Sequence, residues 1–127
     1  MRRTAEAGFT LIEILVVCAI LGILALIALP RMGNSRDRAI QAALIADLHN
    51  LITAEESYFA SNGTYSSSLA LLNVTPPLSN AVTINEATAT GWSATASNPS
   101  ITRQCYLFSG SATPIGSATM AGVTSCS

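Results

Sequence analysis

The chain has 127 residues, half of them hydrophobic and only 10% charged, with a formal net charge of −1. Roughly a quarter of the residues in soluble domains are charged, so this composition argues against an ordinary soluble enzyme; the absence of a basic field argues against a nucleic-acid binder. The length allows at most one globular domain plus an appendage. There is no lysine, and every arginine but Arg103 lies at or before Arg38. From Ala39 onward Asp47, Glu55, Glu56 and Glu86 face that one cation. This distal part is rich in Ser, Thr, Ala and Gly, as an exported, solvent-facing surface would be.

A short charged leader, MRRTAEAG, comes first, and Phe9 to Leu29 then reads FTLIEILVVCAILGILALIAL. As a helix this run extends about 32 Å, close to the roughly 30 Å hydrocarbon core of a bilayer. Arg2 and Arg3 ahead of it keep the N-terminus cytoplasmic. An ordinary secretory signal has its small residues and cleavage site after the apolar core. Here Gly8 stands before the core, and Pro30 and Arg31 follow it. A cut after Gly8 would remove the leader and keep the apolar helix.

Glu13 is the one acid in the run. An acid inside a spanning helix is a functional candidate by default, although near the helix end it can reach the interface. Beside that snorkelling role stands a charge-pairing one. Cleavage at Gly8–Phe9 gives Phe9 a new ammonium, one helical turn from its own Glu13. A neighbouring subunit's ammonium offers a second partner, completed only in an assembled bundle.

The basic leader, Gly8 before an aromatic, and Glu13 at the fifth position after the cut together resemble a type IV prepilin. Pro30 resembles the proline that interrupts that family's long first helix. The match covers about Arg2 to Pro30 and continues more weakly through SYFASNGTYSSSLALL and the C-terminal cysteine pair. The resemblance implies an α+β pilin fold, with a long N-terminal helix packed on a small antiparallel sheet. It implies cleavage by a prepilin peptidase after Gly8, N-methylation of Phe9, and assembly in which Glu13 meets a neighbour's Phe9 ammonium. It also implies residence in the inner membrane before assembly, and then in an extracellular pilus built by the pilus assembly machinery. Leader 1–8, membrane and filament-core helix 9–34 with a break at Pro30, and head domain 35–127 follow from it. The same motif occurs in pseudopilins of type II secretion systems. Major pseudopilins usually carry a calcium site in a C-terminal loop and lack a cysteine pair, whereas here no Asp lies beyond Asp47. That departure favours a type IV pilus subunit serving motility, adhesion or DNA uptake, with the pseudopilin as alternative. The acidic balance argues against strong nucleic-acid binding by the shaft.

Beyond Pro30, which removes one helical hydrogen bond, Gly33 and Asn34 weaken the helix further, and the membrane helix either bends or ends there. Apolar spacing resumes at Ile40, Leu44, Leu48, Leu51, Ile52, Tyr58 and Phe59, which predicts a second helical half over about 35–60 with Asn62-Gly63 as a left-handed stop. One capped turn is expected in SSSLALL, ended by Pro76-Pro77. Strands are expected over 82–85, 92–97 and 103–109, and more weakly over 117–123, in a three- or four-stranded antiparallel sheet. In the third, Cys105 and Leu107 share one face, with Tyr106 and Phe108 on the other. Cys105 and Cys126 lie outside the anchor, where an even pair reads as a disulfide of an oxidising compartment, with two buried free thiols as the alternative. Cys18 sits in the apolar run.

Catalytic signals are missing. His49 is the sole histidine and reads as a solvated or capping residue. Glu55-Glu56 reads as a solvated helix face. The sequence contains no metal-ligand cluster, phosphate loop or nucleophile elbow, so neither a cofactor nor a metal is expected. A membrane-anchored enzyme or periplasmic binding module is the third reading, and this lack counts against it.

Overall fold

The computed structural model describes residues 9–127, except for the side chains of residues 29–32. The expected leader 1–8, with Gly8, lies outside the described residues. One helix, α1, spans Leu11–Asn62, followed by strands β1 (Ala81–Ala87), β2 (Gly91–Ser97), β3 (Gln104–Gly110) and β4 (Ser125–Cys126). The architecture is α+β, as expected. The chain divides into two compact units between Arg36 and Asp37.

Helical backbone continues through Pro30, so the two helical halves join in one element, and the alternative in which the membrane helix ends there is set aside. A proline lacks only its own N–H, and the turns on either side can carry the helix across that single gap. In the proximal unit, Leu11–Ala28 has a mean hydropathy of 3.0 and none of it is buried; its length and composition suffice to cross a membrane. Its large side chains range from 47% exposed at Val17 to 83% at Leu11.

The distal unit buries what the proximal one leaves open. Leu44, Leu48 and Leu51 lie at i, i+4 and i+7, one face of a helix, and all three are fully buried. They meet Trp92, Ala94 and Ala96 of β2 and Cys105 and Leu107 of β3 in a single core. The four strands pair antiparallel in sequence order. Val82, Ala96, Cys105 and Cys126 occupy successive register positions across the whole sheet, and Ile84, Ala94 and Leu107 across three strands. Because side chains alternate along a strand, these rows give the sheet its core face. On the opposite face, Phe108 packs with Ala112, Ala118 and Tyr106 in a smaller cluster. The split of Cys105 and Leu107 from Tyr106 and Phe108 therefore holds.

Asn62-Gly63 stops the helix as predicted. Gly63 has φ +69°, and its N–H donates to the Phe59 carbonyl at 2.8 Å. The strand expected over 117–123 is absent. Turns fill that stretch, in which the Gly122 N–H donates to the Phe108 carbonyl at 2.7 Å. The fourth strand comes later, at Ser125–Cys126, where the disulfide lies.

Candidate functional site

The first site is the start of α1. Phe9 is 79% exposed just ahead of the helix. Thr10 and Glu13 form a reciprocal cap. The Thr10 backbone N–H and Oγ1 each donate to Glu13 Oε2 at 3.0 Å, while the Glu13 N–H donates to Thr10 Oγ1 at 3.3 Å. This T-x-x-E capping box satisfies amides that have no partner at a helix N-terminus. It gives Glu13 a third role beside snorkelling and pairing. Both bonds from Thr10 land on Oε2. The spacing Thr10-Leu11-Ile12-Glu13 carries this signal in the sequence, although it was not among the expectations. Cys18 is an exposed free thiol on the same apolar helix.

The second site is the C-terminal segment of the distal unit. Cys105 and Cys126 form a disulfide, which decides between the two readings of the pair. It fixes β4 against β3, where Cys105 and Cys126 are register partners. Glu86 Oε2 accepts from the Thr113 N–H at 3.1 Å and so ties β1 to the same segment. Gly116 lies over the Tyr106 ring, where any Cβ would clash with it. Glu86, the only acid after Glu56, is thereby engaged with backbone.

A polar chain joins the helix to the sheet. Asn80 Nδ2 donates to Asp47 Oδ2 at 2.6 Å, and Asn98 Nδ2 donates to Asn80 Oδ1 at 2.7 Å. Asn98 Oδ1 accepts from the Ser100 N–H at 2.8 Å. Arg103 donates to Gln41 at 3.0 Å. His49 is exposed, as a solvated residue should be.

Glu55 departs from expectation. Rather than lying on a solvated face, it is fully buried one turn beyond Leu51 on the apolar stripe. Its Oε2 accepts from the Ser66 N–H at 2.9 Å, while Oε1 is buried without a partner. Burial pushes its carboxyl above the ordinary value of 4.5; the Ser66 bond opposes the shift and the Glu56 charge adds to it. Glu56 is exposed, as expected, and accepts from the Tyr65 hydroxyl at 3.3 Å.

Residues 3–29 match the family model described as the prokaryotic N-terminal methylation motif. The type IV major pilin protein PilA of Myxococcus xanthus is 44% identical over 59 residues, 46% of this chain and 27% of that protein. The type IV wide pilus major component PilA4 of Thermus thermophilus is 40% identical over 65 residues, 51% of this chain and 50% of that protein. Over about half of its length the chain is similar to type IV pilin proteins. The type II secretion system core protein G of Klebsiella michiganensis is 38% identical over 65 residues, 51% of this chain and 46% of that protein. The pilin-like chain thus spans about half the length, or less, of these curated relatives. They include both pilus and secretion proteins, and the matched motif ends within the apolar part of α1.

Proposed function

We propose that this pilin-like chain is a structural subunit of a type IV pilus, assembled through its N-terminal helix. A prepilin peptidase removes leader 1–8 by cutting between Gly8 and Phe9, and Phe9 is N-methylated. The subunit then waits in the inner membrane with residues 9–34 as anchor and residues 35–127 as head. Assembly moves the same helix into the core of an extracellular filament, with Glu13 opposite the Phe9 ammonium of a neighbour. Its role is structural rather than catalytic.

The observation that carries this reading is the exposed apolar helix behind a capped, acid-bearing start. None of the 18 residues of Leu11–Ala28 is buried within the chain. Such a surface needs lipid or other copies of itself, and repeated head-to-tail contact between copies gives an open helical polymer. Within the head, the Cys105–Cys126 bridge and the Glu86–Thr113 bond favour a pilus subunit over a pseudopilin. They close the C-terminal segment with the chain's own groups and draw Glu86, the only acid after Glu56, into backbone bonding. The secretion relatives keep the pseudopilin as the second reading.

Two measurements on one strain pair test the proposal. Intact-mass and N-terminal peptide analysis of surface-sheared filaments should find a chain beginning at methylated Phe9. Electron microscopy of cells lacking this chain should show the loss of a filament class. Intact surface filaments together with a failure to export secreted proteins would establish the pseudopilin instead. A chain that starts at Met1, or after Leu29, would sink both.

A further inference from the structure

The segment between α1 and β1 packs Leu72 into the core with Tyr65, Leu69 and Val74 against it, and among the described residues its one buried polar tie to the helix is at Ser66. Ser66, 3% exposed, donates its N–H to Glu55 Oε2, and its Oγ accepts from the Ser68 N–H at 3.1 Å, which starts a run of tight turns. Within that run the Val74 N–H donates to the Leu69 carbonyl at 3.1 Å, and Asn73 takes a left-handed conformation with φ +52°. Leu72 is buried in the core, while Leu71 is 61% exposed and Leu78 fully exposed. Beside the turns an open groove of about 240 Å³ is lined by Ala54, Tyr58, Leu72 and Asn73 among others. Glu55 supplies the buried polar anchor of the turns.

We propose that Glu55 is a proton-dependent latch: its neutral carboxyl keeps Ser66–Val74 packed on the helix, and its ionisation releases the segment. A neutral acid fits this site because Oε1 is sealed from solvent with no partner to stabilise a charge; the Ser66 N–H donated to Oε2 is the one bond that favours the ionised form. Among the described residues the charge that acts on it is that of another acid, Glu56. Glu56 is its neighbour on the helix and Tyr65 lies on the following segment; both are neutral or negative. The strands present Trp92, Ala94, Ala96, Leu107 and the disulfide-bonded Cys105 to the core, none of which titrates.

The direction follows from proton binding. The closed segment holds Glu55 above its ordinary value of 4.5, so the closed state binds more protons than the open one. Opening therefore releases a proton and becomes easier as pH rises above that value. The exposed Leu71 and Leu78 ride on or beside this segment, so the latch governs how the head presents them to a neighbour. This holds for a subunit of either a pilus or a secretion filament.

The experiment is hydrogen exchange on the full chain in detergent at pH 5 and pH 8, corrected for the intrinsic pH dependence of exchange. Wild-type protection across 66–74 should fall, since each unit of pH lying between the open-state value and the higher folded-state one is worth a factor of ten, and the fall should level off above the latter. Protection over Leu44–Leu51 should change far less. Glu55→Gln and Glu55→Leu should both abolish the fall, the second by placing an apolar side chain in an apolar site. Glu56→Gln should keep most of it. Wild-type protection that is flat with pH, a fall retained in Glu55→Gln or Glu55→Leu, or a fall lost in Glu56→Gln would each overturn the proposal.

Discussion

Two stretches of one helix face opposite fates. Leu44, Leu48 and Leu51 are fully buried, whereas the large apolar side chains of Leu11–Ala28 stand about half to mostly exposed. Both stretches carry strongly apolar residues, so hydrophobicity alone does not separate them. The distal stretch concentrates its leucines in one stripe with polar residues elsewhere, and the chain's own sheet covers that stripe. The proximal stretch is apolar all round, as a helix is when its surroundings are apolar on every side. Burial comes from inside the chain in one case and, on the proposed function, from lipid or other copies in the other.

The largest expected effect sharpens this contrast directly. Leu48→Ala should lower the stability of the head by about 2–5 kcal/mol, since it opens a cavity in a closed core. Leu15→Ala, at a position 62% exposed, should leave head stability within about 0.5 kcal/mol. Its effect should appear instead in filament yield. Thermal melts of the two variants in detergent, followed by filament counts, check both halves. Equal losses of melting temperature would break the contrast.

The next effect concerns the staple. Replacing Cys105 and Cys126 together by serine should cost about 3 kcal/mol by loop-closure entropy for a separation of 21 residues. Chemical denaturation should show a lower midpoint, and β4 amides should lose exchange protection first. The same pair of changes should not alter retention of the chain in membranes, because the anchor lies in the other unit.

A smaller effect tests how the helix ends. Gly63 has φ +69° with no atom near a would-be Cβ, so Gly63→Ala meets backbone strain and no clash. The head should lose about 1 kcal/mol, and a loss several times larger would mean that Gly63 serves as more than a turn.

Much of the fold was legible in the sequence because its signals are local and periodic. The 44-48-51 stripe, the Asn62-Gly63 stop and the alternation through 104–110 each need only nearby residues. The fourth strand was not, because its position depends on where the disulfide holds the tail and not on the β-propensity of 117–123. Glu55 was misread for a related reason. A charged residue is ordinarily assigned to solvent, but its i+4 spacing from Leu51 already placed it on the buried face. The two helical halves were legible from their apolar spacing, while whether the helix bends or ends at Pro30 was not, because a proline's local penalty says nothing of the turns on either side. At the N-terminus, Gly8, Phe9 and Glu13 stood out by their order, while the Thr10–Glu13 cap passed unread within an apolar run. The pairing of Glu13 with a neighbour involves a second chain, and its evidence must come from assembly.

That assembly supplies the most direct test of the account, namely the ratio of filament subunit to membrane-pool subunit in Glu13→Leu, Glu13→Gln and wild type. Glu13 serves as the helix cap through Oε2, and the account also gives it the neighbouring Phe9 ammonium. Glu13→Leu should leave the chain cleaved and inserted but scarce in filaments, because each added subunit would bring an ammonium into an apolar bundle without a counter-charge. Glu13→Gln can accept hydrogen bonds without charge and should fall between the two. Thr10→Ala serves as the control for capping: it removes the Oγ1 bonds and keeps the acid, so it should lower filament yield far less than Glu13→Leu. Wild-type filament yield from Glu13→Leu would contradict the pairing and leave Glu13 as a helix cap alone.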